Sequence, residues 1–226
     1  MIRSLVQPHL ADFAIPSILR HLSVLPRSFY LHPTLTVARD LIGKYLVRKS
    51  GKRLLIGKIV EVEAYLGKRD PASHAFRGKT KRNEVMFHEG GHLYVYFTYG
   101  MHFCANVVTG REGIGEAVLL RAVEPVQGIE TMSRNRKSGK KKATFNLTNG
   151  PAKLCQAFGL NRSDNGMDLL GNRCSIMRKR GAVRESIVST TRIGIRVGTE
   201  FKWRFSIRNN RWVSRKPAKF KSTMGY

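Results

Sequence analysis

The chain has 226 residues, 42% of them hydrophobic, and sets 41 Lys and Arg against 15 Asp and Glu, a formal charge of +26. That length supports one well-packed core and is short for two, and a charge so far from zero exceeds what solubility requires, so a polyanion is the expected partner. No apolar run approaches the ~20 residues of a transmembrane helix, and the basic residues are spread along the chain rather than gathered beside one anchor, which favours a phosphate backbone over a membrane surface.

Residues 1–25 lack the continuous apolar core of a secretory signal, because His9, Asp12 and Pro16 interrupt them. They are expected to be a flexible extension, with regular structure starting at Pro26. Thr36 is placed to cap a short helix through VARDLI, which Gly43 ends in a left-handed conformation. KYLVRK, the turn SGKR and LLIGKIVEVEAYL read as a β-hairpin. At period two, Ile56, Val60, Val62 and Ala64 share one face of its second strand, while Glu61, Glu63 and Tyr65 share the other. Two carboxylates thus fall beside an aromatic ring in a chain otherwise poor in acid.

GHLYVYFTYGMHFCANVV reads as two strands around a tight turn at Tyr99 and Gly100, and EAVLLRAV as a further buried strand. VQGIETMSRNR reads as a helix after Pro125, and KSGKKK as a solvated loop with phosphate contact as a secondary role. In NGPAKLCQAFGL, Asn149 occupies a capping position, Pro151 the first turn, Leu154 and Phe158 one face, and Gly159 the end. Such a helix start is either a phosphate seat or simply well capped. RIGIRV and FKWRFSIR alternate apolar and basic residues, the pattern of strands with one buried and one positive face. Together these elements predict a single α+β domain over residues 26–215, with an antiparallel or mixed curved sheet, short surrounding helices and a protruding hairpin, followed by a basic tail at 216–226.

Cys104, Cys155 and Cys174 are odd in number and far apart, matching neither zinc nor dithiol spacing, so they are expected to be reduced and buried, with no metal or cofactor. Taken alone, Glu61 and Glu63 read as strand residues in ion pairs. Two carboxylates on one face also suit a sugar hydrolase or a metal-dependent nuclease. Their closeness in sequence argues against the first, whose acid and base flank the bond. The second needs more carboxylates than Asp70 supplies. A non-catalytic RNA- or ribosome-binding module fits the charge equally well, but has no need of Glu63 beside Tyr65.

LPRSFY, ARDLIGKYLV, GKIVEVEAYLGKRDPASHAFRGKTKRNEVMF, LYVYFTYGMHFCANVV, VLLRAVEP and NGPAKLCQAFGL follow one another in this order. Over residues 26–213 the chain resembles the alkyladenine (3-methyladenine) DNA glycosylase family. The resemblance implies a monomeric, monofunctional enzyme, without metal or cofactor, that flips alkylated or deaminated purines out of double-stranded DNA and hydrolyses their N-glycosidic bond. It implies Glu63 as general base, with the Arg121 backbone carbonyl helping to hold the attacking water, and Glu61 as a structural partner of Lys or Arg. It implies Tyr65, His74 and Tyr96 around the flipped base, and Asn106 on the pocket floor. Tyr99 is the residue that fills the gap in the duplex, with Met101 and His102 as groove contacts, although His102 stands where relatives often carry an aromatic. A bacterial cytosol at the nucleoid and a nucleus both suit such a protein.

Overall fold

The computed structural model describes residues 17–137 and 144–214. Strands β1 (Leu22–Val24), β2 (Tyr45–Ser50), β3 (Arg53–Tyr65), β4 (His92–Thr98), β5 (His102–Thr109), β6 (Glu116–Gln127), β7 (Met167–Asp168) and β8 (Cys174–Lys179) form one curled antiparallel sheet. Its strand order is β1-β8-β2-β3-β6-β5-β4-β7, and two further strands, β9 (Ile187–Thr190) and β10 (Arg204–Ile207), join it through β3. Among the described residues, four short α-helices flank the sheet: α1 (Arg27–Tyr30), α2 (Thr34–Leu41), α3 (Ile129–Asn135) and α4 (Pro151–Phe158). The expected single-domain α+β fold with a curved sheet is what the chain adopts.

Strand β3 is the organising element. Its first half pairs with β2 in the predicted hairpin, and its second half pairs instead with β10, while β6 runs along its other edge. With helices α2 and α3 packed over it, β3 is buried on both faces from Leu55 to Ala64 apart from the half-exposed Lys58. The close approach of α4 has a visible condition at Gly57, where a Cβ would meet Val123 Cγ2 at 2.6 Å and the Phe158 ring at 3.1 Å. Only glycine lets that helix and strand β6 pack so tightly here.

The period-two reading of β3 fails locally because the ladder with β6 is irregular. Ile59 pairs with Val123, Glu61 with Ala122 and Val62 with Leu120, so Val60 on one strand and Arg121 on the other have no Cα partner. These two bulges turn Ile59 and Val60 both into the core. Glu61 sits between the two bulges, and Glu63 and Tyr65 lie beyond them.

Other expectations need correction. Ordered structure begins before Pro26, since β1 pairs with β8 and Leu25 is buried in the core. Helix α2 starts at Thr34, two residues ahead of the expected cap, with Pro33 at the cap position and no side-chain cap; the Thr34 hydroxyl bonds Thr109 and Glu116 in the interior. Gly43 does take the left-handed conformation, at φ +81°. Pro125 starts no helix: β6 runs through it to Gln127, and Gly128 at φ +79° makes the break. The α4 cap is Gly150, and Asn149 instead accepts a hydrogen bond from Lys153 at 2.8 Å. RIGIRV is not a strand but an irregular segment after β9, and only the Arg204–Ile207 part of FKWRFSIR joins the sheet. The KSGKKK loop from Ser138 onward, the first 16 residues and the 216–226 tail lie outside the described residues. Cys104, Cys155 and Cys174 are free and buried.

Candidate active site

A cavity of about 530 Å³ opens where β3, β4, β5 and β6 meet the loops 66–74 and 191–199. It brings together Tyr65 from β3, His74 from a loop, Tyr96 from β4, Asn106 from β5, Arg121 from β6 and Tyr99 from the hairpin tip. These positions lie up to 56 residues apart in sequence, from Tyr65 to Arg121. Met101 and His102 do not line it; they flank the tip outside. Sequence reasoning missed Tyr94, Cys104, Leu119, Pro151 and the run Ile193–Val197, all in the wall.

Glu63 sits directly behind that wall, with no exposed surface. Its carboxylate accepts the Tyr65 hydroxyl at 2.9 Å and the Ile193 N–H at 2.7 Å, and lies 3.2 Å from Arg121 Nη1. All three contacting residues line the cavity. Burial raises the Glu63 carboxyl above the ordinary range, and Arg121, the Ile193 amide and Tyr65 only partly oppose it. A carboxylate so held is poised to take up a proton.

Glu61 is the contrasting case. It accepts Arg121 Nε at 2.9 Å, Arg204 Nε at 2.7 Å, and both the backbone N–H and the hydroxyl of Ser214 at 2.6 and 2.8 Å. Burial pushes its carboxyl up, but the two guanidiniums and Ser214 outweigh it and hold the group below the ordinary range. Glu61 therefore stays ionised and anchors Arg121, whose guanidinium bridges both glutamates. The Arg121 backbone, without a Cα partner at its bulge, is left out of the regular ladder.

The aromatic residues form a connected group. The His74 ring meets Tyr96 edge-on at 4.5 Å, and its Nδ1 is 3.1 Å from the Tyr94 hydroxyl. Tyr94 and Tyr96 stack at 5.5 Å. Enclosure of its ring, and then Arg82, hold His74 below its usual range, so the imidazole is neutral near pH 7. Asn106 is fixed by donating its amide to the Tyr94 carbonyl at 3.2 Å, in register with Tyr94 across the β4–β5 pair.

At the hairpin tip Tyr99 is 81% exposed and Met101 67%. Tyr99 adopts φ +52° and Gly100 +66°. A left-handed conformation costs a tyrosine ~1–2 kcal/mol, so stability alone would place Gly or Asn there. Among the described residues, no group of three or more His, Cys, Asp or Glu could hold a metal ion, and no helix is long and apolar enough to cross a membrane. Asp70 is taken up by Arg192.

Three similar proteins carry the name "Putative 3-methyladenine DNA glycosylase". That of Carboxydothermus hydrogenoformans is 53% identical over 194 residues, covering 85% of this chain and 100% of its own length. That of Burkholderia lata is 46% identical over 194 residues, covering 85% of this chain and 91% of its own. That of Francisella tularensis is 48% identical over 186 residues, covering 81% and 94%. A family model of methylpurine-DNA glycosylases matches residues 28–211, which span the sheet from α1 to β10 and the whole cavity wall, so the chain belongs to the methylpurine-DNA glycosylase family.

Proposed function

We propose that this DNA glycosylase binds double-stranded DNA as a monomer, turns a damaged purine into the aromatic cavity, and hydrolyses its N-glycosidic bond with water activated by Glu63. Family membership makes the chain a hydrolase of N-glycosyl bonds in base excision repair rather than a non-catalytic RNA-binding module. The observation that carries the finer reading is the buried Glu63 carboxylate, touched by three residues of the cavity wall.

The chemistry follows from charge. Breaking the bond between C1′ and the base nitrogen sends the electron pair to the base and builds positive charge on the deoxyribose. A carboxylate beside C1′ stabilises that charge and accepts the proton as the water oxygen bonds to C1′. The bulged Arg121 carbonyl is the second acceptor for that water. Tyr65, His74 and Tyr96 recover the stacking that the flipped base loses, ~1–3 kcal/mol per aromatic contact. Tyr99, exposed and strained at the tip, fills the gap in the duplex, flanked by Met101 and His102. No step needs a metal or cofactor, and either a bacterial cytosol or a nucleus would supply the substrate.

The relatives' name points to 3-methyladenine as a substrate class. The test is incubation with duplexes holding 3-methyladenine, 7-methylguanine, hypoxanthine or 1,N6-ethenoadenine, followed by alkaline cleavage. Release of at least one of these bases, leaving an intact abasic strand, is expected. Release from none of the four refutes the reading.

A further inference from the structure

We propose that the buried Arg192–Asp70 pair is a positioning device for base excision: it backs the Tyr65 ring and holds the Ile193 N–H on Glu63. The inference rests on Glu63 being the base. Arg192 and Asp70 have no exposed side-chain surface and are joined through both nitrogens and both oxygens of the fork, with Nη2 at 2.8 Å from Oδ1. The same guanidinium donates to the Ala64 carbonyl at 3.0 Å, between Glu63 and Tyr65 in β3, and to the Gly198 carbonyl at 3.3 Å. Asp70 in turn accepts the Leu66 and Ala72 amides at 3.2 and 3.0 Å. One ion pair therefore ties together β3 and the two loops that supply the cavity wall around Tyr65.

The guanidinium is also part of a stack. It lies 4.7 Å over the Tyr65 ring and 5.1 Å over Trp203, and Trp203 stacks on Phe201 at 4.1 Å and 5°. Tyr65 lines the cavity and Arg192 does not, so Arg192 covers the ring from behind and leaves its front for a base. The very next residue, Ile193, donates its amide to Glu63 at 2.7 Å. Gly198 keeps the arrangement possible, since a Cβ there would come within 3.1 Å of Arg192 Nη2. A buried ion pair contributes little stability that well-packed apolar residues could not match. What this pair does supply is fixed geometry for the stacking ring and the base.

Arg192→Ala would leave Asp70 buried without a counter-charge and unfold the chain, so the test uses Arg192→Lys, which keeps the charge but loses the planar fork. Three readouts are expected to move together. The single-turnover rate of base release falls about tenfold or more, as a small misplacement of reacting groups dictates, while lesion-duplex affinity changes little. The limb of the pH–rate profile moves to higher pH, because Glu63 loses a hydrogen bond that favours its charged form. The Ile193 amide exchanges about tenfold faster, the effect of losing one hydrogen bond. Should Arg192→Lys not fold, Trp203→Leu removes one layer of the stack with both charges still paired, and a fall of a few fold is expected. A folded variant with wild-type rate, pH profile and Ile193 exchange overturns the inference. If the wild type itself releases no base, the functional reading fails instead, and the Ile193 exchange still decides whether the pair holds that amide.

Discussion

Replacing Glu63 by Gln and, separately, Glu61 by Gln should exchange two phenotypes, one chemical and one structural. Glu63 accepts three contacts within 3.2 Å, and an amide of the same shape retains one of its oxygens for them. Losing a charge-assisted hydrogen bond costs ~1.5–3 kcal/mol, but the desolvation of the buried Glu63 charge, which raises its carboxyl, is relieved at the same time, so the fold changes little. Catalysis loses its base, ~10²–10⁴-fold in rate or ~3–5 kcal/mol of barrier. Glu61→Gln does the reverse. It leaves the buried Arg121 and Arg204 without their shared counter-charge, a loss of ~3–5 kcal/mol, and lowers Tm by ~2–4 °C per kcal/mol in a domain of this size. The assay is single-turnover release of hypoxanthine from a duplex across pH 5–9, with thermal denaturation alongside. The wild-type rate should rise with pH through a Glu63 titration lying above the ordinary carboxylate range, and that limb should vanish in Glu63→Gln. The stability from Glu61, whose folded titration is depressed, is present above the ordinary carboxylate range and is lost as pH falls through its lower folded value. A folded but inactive Glu61→Gln beside an active Glu63→Gln would refute the assignment.

Three further outcomes are expected. Tyr99→Ser should weaken lesion-duplex binding and flipping, measured by gel shift and single-turnover release, with a smaller effect when the lesion faces a mismatch and opening is cheaper. Binding to undamaged duplex should be independent of sequence and should fall steeply with salt, each phosphate contact contributing about −0.9 to the log–log slope; a flat salt dependence contradicts a phosphate-tracking surface. Asn106 lines the cavity and is held by a hydrogen bond to the Tyr94 carbonyl; on the proposal that it excludes a base carrying an exocyclic 2-amino group, Asn106→Ser should permit slow release of undamaged guanine, most readily from mismatches, with hypoxanthine release retained. Unchanged rejection of guanine by that variant makes Asn106 a purely structural amide.

What could be read from the sequence was local. The period-two face placed Glu61, Glu63 and Tyr65 together, and the Tyr99–Gly100 turn fell at the hairpin tip. The Val60 and Arg121 bulges were not legible, since a bulge depends on the register between strands distant in sequence. Nor was Tyr94, because LYVYF reads as core until His74 is seen at its hydroxyl. The main error concerned the arginines. In RIGIRV and FKWRFSIR the alternation of basic and apolar residues matches an amphipathic strand with a solvated positive face, yet Arg192 and Arg204 point inward, to acids 122 and 143 residues away.

That error follows from the composition itself. At least five of the 15 acids, Glu61, Glu63, Asp70, Glu116 and Asp164, are buried, and each lies within 4 Å of an arginine. Their arginine partners Arg48, Arg121 and Arg192 are taken inside with them, so these pairs leave the excess of basic residues at the surface unchanged. Glu61 is matched by two guanidiniums and by Ser214, which hold it ionised as a structural tie. Glu63, two residues on, is raised by burial beyond what Arg121, Ile193 and Tyr65 restore. The contrast between these two neighbours at the cavity wall is what supports the proposal that Glu63, and not Glu61, changes protonation during the reaction.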